Sequence, residues 1–100
     1  MSVAVKKSLP LPDGGAVLLY DMSNPDKSLP ATEIELNVYR VDAKGAKLWQ
    51  ISAPPPVRPR TPFTNIYFVP DGKLRAFRFD CYEHEVDLDT GQAFVVDYLK

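Results

Sequence analysis

Apolar and polar positions alternate along most of this chain. In TEIELNV, Ile34, Leu36 and Val38 fall on one side, with Glu35 and Asn37 on the other. In YEHEVDL, Tyr82, His84, Val86 and Leu88 oppose Glu83, Glu85 and Asp87. A period of two sends successive side chains to opposite faces of an extended backbone, so both stretches predict half-buried strands. Ten prolines, at 10, 12, 25, 30, 54, 55, 56, 59, 62 and 70, leave few windows for a helix. Asp13-Gly14, Lys44-Gly45, Asp71-Gly72 and Thr90-Gly91 each sit between strand-like runs, where glycine supplies the positive φ of a hairpin turn. The pattern predicts eight strands, at 3–9, 15–22, 33–42, 46–52, 63–69, 73–80, 82–88 and 92–98.

The eight fall into two similar sets. LPDGGAVLLYD (11–21) returns as VPDGKLRAFRFD (69–80), and VYRVDAKGAKLW (38–49) is answered by EHEVDLDTGQAF (83–94). A duplicated four-stranded meander is the economical interpretation. It gives an all-β single domain, residues 1–100, with halves of about 1–53 and 61–100 joined by the proline-rich segment 53–62. Two antiparallel four-stranded meanders would then form a sandwich or a flattened barrel, with little or no helix.

The hairpins NVYRVDAKGAKLWQI and HEVDLDTGQAF resemble those of β-propeller blades of the pyrroloquinoline-quinone-repeat type. In such blades a strand ending near an aspartate meets a D-x-x-T-G turn and then an apolar strand with an aromatic. LWQI, PFTNIY and DxxTG in this order are also similar to small bacterial β-rich proteins of unknown function. Two blades do not close the usual ring of four to eight, and the resemblance implies no quinone cofactor for this chain.

Composition narrows the class further. With 45% hydrophobic and 25% charged residues the chain is of ordinary globular type. The net charge is −1, and residues 1–53 carry six basic and six acidic groups against six and seven in 54–100. Neither half forms a basic surface for nucleic acid or an anionic membrane. Cys81 is alone, so no disulfide forms within the chain and a reducing, cytoplasmic home is expected. The start, MSVAVKKSLPLPDGG, lacks the apolar core of a signal peptide, and no run approaches a membrane span.

Candidate chemistry is concentrated in YEHEVDLDTGQAF. Asp87, Asp89 and Gly91 suggest a calcium loop, but a loop of the EF-hand type needs ligands at positions 5 and 12, where Gly91 and Tyr98 stand. A turn accounts for the stretch instead, with Asp89 and Thr90 bonding to the backbone and Gly91 left-handed; no metal and no cofactor are expected. His84 is in phase with apolar neighbours and is expected to be a core residue with a satisfied ring nitrogen. The catalytic alternative pairs it with Cys81 as base and thiolate. Glu83, Glu85 and Asp87 form an acidic stripe that Arg75 and Arg78 of the preceding strand would pair with across the hairpin. Those five residues, with Tyr67, are the candidate binding residues. PPPVRPR is expected to act as a stiff connector, with groove docking of its PxxP as the alternative. No phosphate-loop, GxSxG, HExxH or dinucleotide motif is present.

The expectation that follows is a non-enzymatic binding or accessory module acting through protein contacts, with another protein or a second copy as partner. The alternative is a small-ligand barrel or minor enzyme with a pocket near His84 and Cys81.

Overall fold

The computed structural model describes residues 4–98. All eight expected strands are present: β1 (Val5–Pro10), β2 (Ala16–Tyr20), β3 (Val38–Val41), β4 (Lys47–Gln50), β5 (Phe63–Phe68), β6 (Leu74–Arg78), β7 (Tyr82–Val86) and β8 (Ala93–Tyr98). Residue 3, the expected start of the first, lies outside the described residues. The strands form two antiparallel four-stranded sheets of order β1-β2-β3-β4 and β5-β6-β7-β8. Each is a meander, and neither they nor the pair closes into a barrel.

Turn chemistry explains the short connections. Leu11-Pro12-Asp13-Gly14 and Val69-Pro70-Asp71-Gly72 each return the fourth residue's N–H to the first residue's carbonyl, at 3.0 and 2.9 Å. Proline presets φ at the second position, and the aspartate Oδ1 accepts the N–H two residues on, from Gly15 at 2.8 Å and Lys73 at 3.1 Å. Asp42 begins a third such turn, accepting from Lys44 and Ala46. The β7–β8 turn is one residue longer, with the Gly91 N–H on the Asp87 carbonyl at 2.7 Å.

One expected strand begins later than the alternation suggests. Residues Ala31–Glu35 form a short helix, α1, after Pro30. Ile34 and Val38 are four apart as well as in phase at period two, so the same apolar pair suits a helical turn leading into a strand. Asn37, expected on the polar face, is fully buried. It is tolerated there because its amide is fully used: Nδ2 donates to the carbonyls of Tyr20 at 2.8 Å and Phe63 at 2.9 Å, and Oδ1 accepts from the Phe63 N–H at 2.9 Å.

The sheets share one core. Val17, Leu19 and Val38 of the first meet Phe63, Ile66, Leu74, Ala76 and Val86 of the second, with Leu11, Ile51 and Ala93 at the margins. The molecule measures 34 × 34 × 19 Å, its thin dimension that of two stacked sheets. A second seam joins the sheets at one corner. There the Ser52 N–H donates to the Gly91 carbonyl and the Ala93 N–H to the Ser52 carbonyl, at 2.9 and 2.7 Å. Trp49 closes the seam, its Nε1 donating to the Leu88 carbonyl at 2.9 Å beside the Arg40 Nη1 at 2.7 Å.

Candidate binding surface

The outer face of the second sheet gathers four of the six candidate binding residues. Ladder register places Tyr67 opposite Arg75, and Arg75 opposite Glu85. The Arg75 guanidinium lies 3.1 Å from Glu83 and 3.6 Å from Glu85, and Lys73 reaches Glu85 at 3.8 Å. The Tyr67 hydroxyl donates to Glu83. Burial, and then the Glu83 carboxylate, push Tyr67 up to about 12, so it remains a donor at any physiological pH. Two acids therefore face one arginine, one lysine and one phenol. The group is largely self-satisfied, and each cross-strand pair contributes a few tenths of a kcal/mol, up to ~1.

The other two candidates lie elsewhere. Arg78 faces inward and is 2% exposed. It stands three residues after Arg75, and odd spacing on a strand reverses the face. Its charge is met by Asp80 at 3.0 Å and by the Pro54 carbonyl at 2.7 Å, with its guanidinium over the Phe63 ring at 5.5 Å. Asp87 stands in the turn, where its Oδ1 accepts the N–H groups of Asp89 and Thr90 at 2.9 and 3.3 Å. Capping of this turn thus falls chiefly to Asp87 rather than to Asp89 and Thr90; the Thr90 hydroxyl accepts only from Gln92.

His84 is fully buried between the sheets, edge-on to Phe63 with ring centroids 5.1 Å apart. It is a core residue as its phase suggests; among the described residues no hydrogen bond of normal geometry reaches either ring nitrogen, although the Tyr82 and Ala76 backbones act on the ring as weak partners. Burial first, and then the nearby Arg78 charge, lower its pKa below the usual 6.5. Cys81 sits in the β6–β7 turn with φ +73° and is half-buried. The base–thiolate alternative would need an imidazole open to substrate, and this one is not. Among the described residues no group of three or more His, Cys, Asp or Glu side chains is placed to hold a metal ion.

Sequence phase did not reveal the flank of this surface. Among the described residues β8 is an edge strand, paired only with β7. Phe94, Val95, Val96 and Tyr98 are 52, 43, 39 and 48% exposed, so apolar side chains protrude from both faces of one strand. The ladder shifts register at Val96, between the pairs Glu83–Asp97 and His84–Val95. The Ala93 N–H points away from β7, to Ser52. Alternation therefore aims the Val95 N–H at the same open edge, two residues beyond the point where Ser52 stops covering it.

Two surface clefts lie apart from this strand, and neither is lined by His84 or Cys81. One, of about 290 Å³, lies over the first sheet between Tyr20, Glu33, Tyr39 and Lys47. The other, of about 520 Å³, is bounded by residues 58–64, by the loop after β2 and by Phe79. No helix among the described residues is long and apolar enough to cross a membrane.

Comparison with known proteins yields no significant match to a curated protein and none to a solved structure. A family model does match, over residues 5–98, which takes in all eight strands and the β8 edge. The chain belongs to the family described as Domain of unknown function (DUF7957).

Proposed function

We propose that this chain is a non-enzymatic module acting through protein contacts, and that its contact surface is the open edge of β8, which pairs with the β8 edge of a second copy. The carrying observation is the exposed apolar run Phe94, Val95, Val96 and Tyr98 on a strand whose outer backbone groups, among the described residues, have no neighbouring strand beyond Ser52. Edge strands usually carry charge, proline, a bulge or a cover that discourages pairing; residues 94–98 contain no lysine and no proline, and their one charge, Asp97, and the register shift at Val96 lie beyond Phe94 and Val95. An edge is the same on both copies, so antiparallel pairing about a two-fold axis places apolar side chains against apolar side chains. A net charge of −1 leaves little repulsion between copies. The Tyr67–Arg75–Glu83–Glu85 group forms the polar rim beside this edge.

The blade-like hairpins fit this assignment, since four-stranded antiparallel meanders are also the units that propellers place side by side. The single cysteine fits a reducing, cytoplasmic home. Sedimentation equilibrium tests the pairing. The wild type is expected to associate in the micromolar range and Val95→Lys to stay monomeric with unchanged melting. A wild type that remains monomeric at high concentration removes the second copy as partner.

A further inference from the structure

The geometry points to a binding site for a small organic acid, an anionic head on an apolar body, in the cleft between the proline-rich segment and the loop after β2. This site is independent of the β8 edge and goes beyond the contact function proposed for it. The cleft encloses about 520 Å³, within the usual range for small-ligand sites. Its floor is apolar, with Phe63 and Met22 buried beneath it and Phe79 standing 73% exposed at its rim. Pro59 and Pro62 stiffen the wall and present rings instead of N–H donors.

The polar groups of the lining are mostly spent. The Arg60 N–H goes to Glu35, and the Phe79 N–H to the Pro62 carbonyl. The Thr61 and Thr64 hydroxyls go to the Arg58 and Phe77 carbonyls, and the Asp21 carboxylate accepts both the N–H and the hydroxyl of Ser23. The least committed groups are cations, although Arg60 gives Nη1 to the Leu29 carbonyl and the Lys6 charge acts on Asp21. Lys6, Arg58 and Arg60 line the cleft and, among the described residues, form no ion pair. Three positive groups against one already satisfied carboxylate over an apolar floor select a ligand with an acid head and an apolar body. Arg60 is also held at φ +64°, anchored by its bonds to Glu35 and to the Leu29 carbonyl. A non-glycine residue in that region is strained, and strain of this kind is concentrated at binding sites.

The test uses the full chain with three probes: 2-naphthylacetate, 2-naphthyl phosphate and the neutral 2-naphthylacetamide, followed by amide chemical shifts. At least one acid is expected to bind saturably at millimolar concentration or below, at least about tenfold more tightly than the amide. The preferred acid assigns the head as carboxylate or phosphate. Shifts should centre on residues 58–64, Lys6 and Phe79. The exposed double substitution Lys6→Gln with Arg58→Gln should weaken acid binding about tenfold or more, leave the melting temperature unchanged, and reduce the sensitivity of binding to added salt to that of the remaining Arg60. Absence of saturable binding, equal binding of the amide, or shifts centred on β8 would overturn the proposal.

Discussion

The side chain of Asn37 pairs with the backbone of Phe63 as a neighbouring strand would, giving one hydrogen bond to its carbonyl and taking one from its N–H, each at 2.9 Å. The pair joins the entry of β3 in one sheet to the start of β5 in the other, and the third bond, to Tyr20, ties in β2. Asn37→Ala strands a buried N–H and two buried carbonyls. It should lower unfolding free energy by about 2–4 kcal/mol in urea titrations, since each unsatisfied group costs ~1–3 kcal/mol. Asn37→Asp keeps the shape but turns the donor into an acceptor facing two carbonyls, and should be at least as damaging. A loss below about 1 kcal/mol for both would show that the sheets do not depend on this link.

Gly91 differs from the other turn glycines in what lies above it. It adopts φ +79°, and a Cβ there would come within 2.6 Å of the Trp49 ring. Gly45 adopts φ +86° with nothing within 4 Å of the same position. Gly45→Ala should therefore cost about 1 kcal/mol from backbone strain alone, and Gly91→Ala about 2–4 kcal/mol from strain plus overpacking. Equal losses would mean that Trp49 is not seated on the turn. Asp87→Asn retains an acceptor for the Asp89 and Thr90 N–H groups and should be nearly neutral. Added calcium should leave the melting temperature unchanged, whereas a bound ion would raise it by mass action.

His84 makes stability depend on pH. Unfolded, its imidazole titrates near 6.5; folded, burial and Arg78 hold it lower, with the Tyr82 backbone, Asp80 and the Ala76 backbone opposing. As pH falls below 6.5 the unfolded chain takes up a proton that the folded chain refuses. Stability is thus full above 6.5 and falls toward the folded pKa, by at most ~1.4 kcal/mol per pH unit. Asp13, Asp21 and Asp26 are also lowered, chiefly by hydrogen bonds from Gly15, Ser23 and Ser28, but from 3.8, so their effect begins in a more acid window. Urea midpoints at pH 7 and pH 5 should differ for the wild type and converge for His84→Leu. Because the ring nitrogens make no hydrogen bond of normal geometry, that substitution should cost less than about 1 kcal/mol at pH 7. An unchanged pH slope in the variant would assign the acid loss elsewhere.

Much of the fold was legible in the residues. Alternation and the four glycine turns located all eight strands, because both are local signals. The inward direction of His84 followed from phase with Val86, and the pairing of Arg75 with Glu83 and Glu85 from the hairpin register. Three features were not legible, for a common reason. Asn37 and Arg78 are buried polar residues whose partners, at Phe63 and Pro54, are 26 and 24 residues away. The cleft at Lys6, Arg58 and Phe79 likewise arises from segments distant in sequence. The helix at Ala31–Glu35 was hidden differently, since Ile34 and Val38 satisfy both periods at once. The exposure of Phe79 and Phe94 reversed the usual expectation that aromatics in strands are core.

Amide exchange at Val95, followed across protein concentration, tests the pairing of β8 edges most directly. Its N–H is aimed at the open edge and, in an isolated copy, meets only solvent. In the paired state it enters a ladder, so its exchange is expected to slow by about tenfold or more as concentration rises through the association range, while Phe94, already bonded to β7, changes little. The Val95→Lys chain should show no such dependence at position 95. Fast exchange at Val95 at every concentration, in samples that sedimentation shows to be associated, would place the contact on another surface and contradict the assignment.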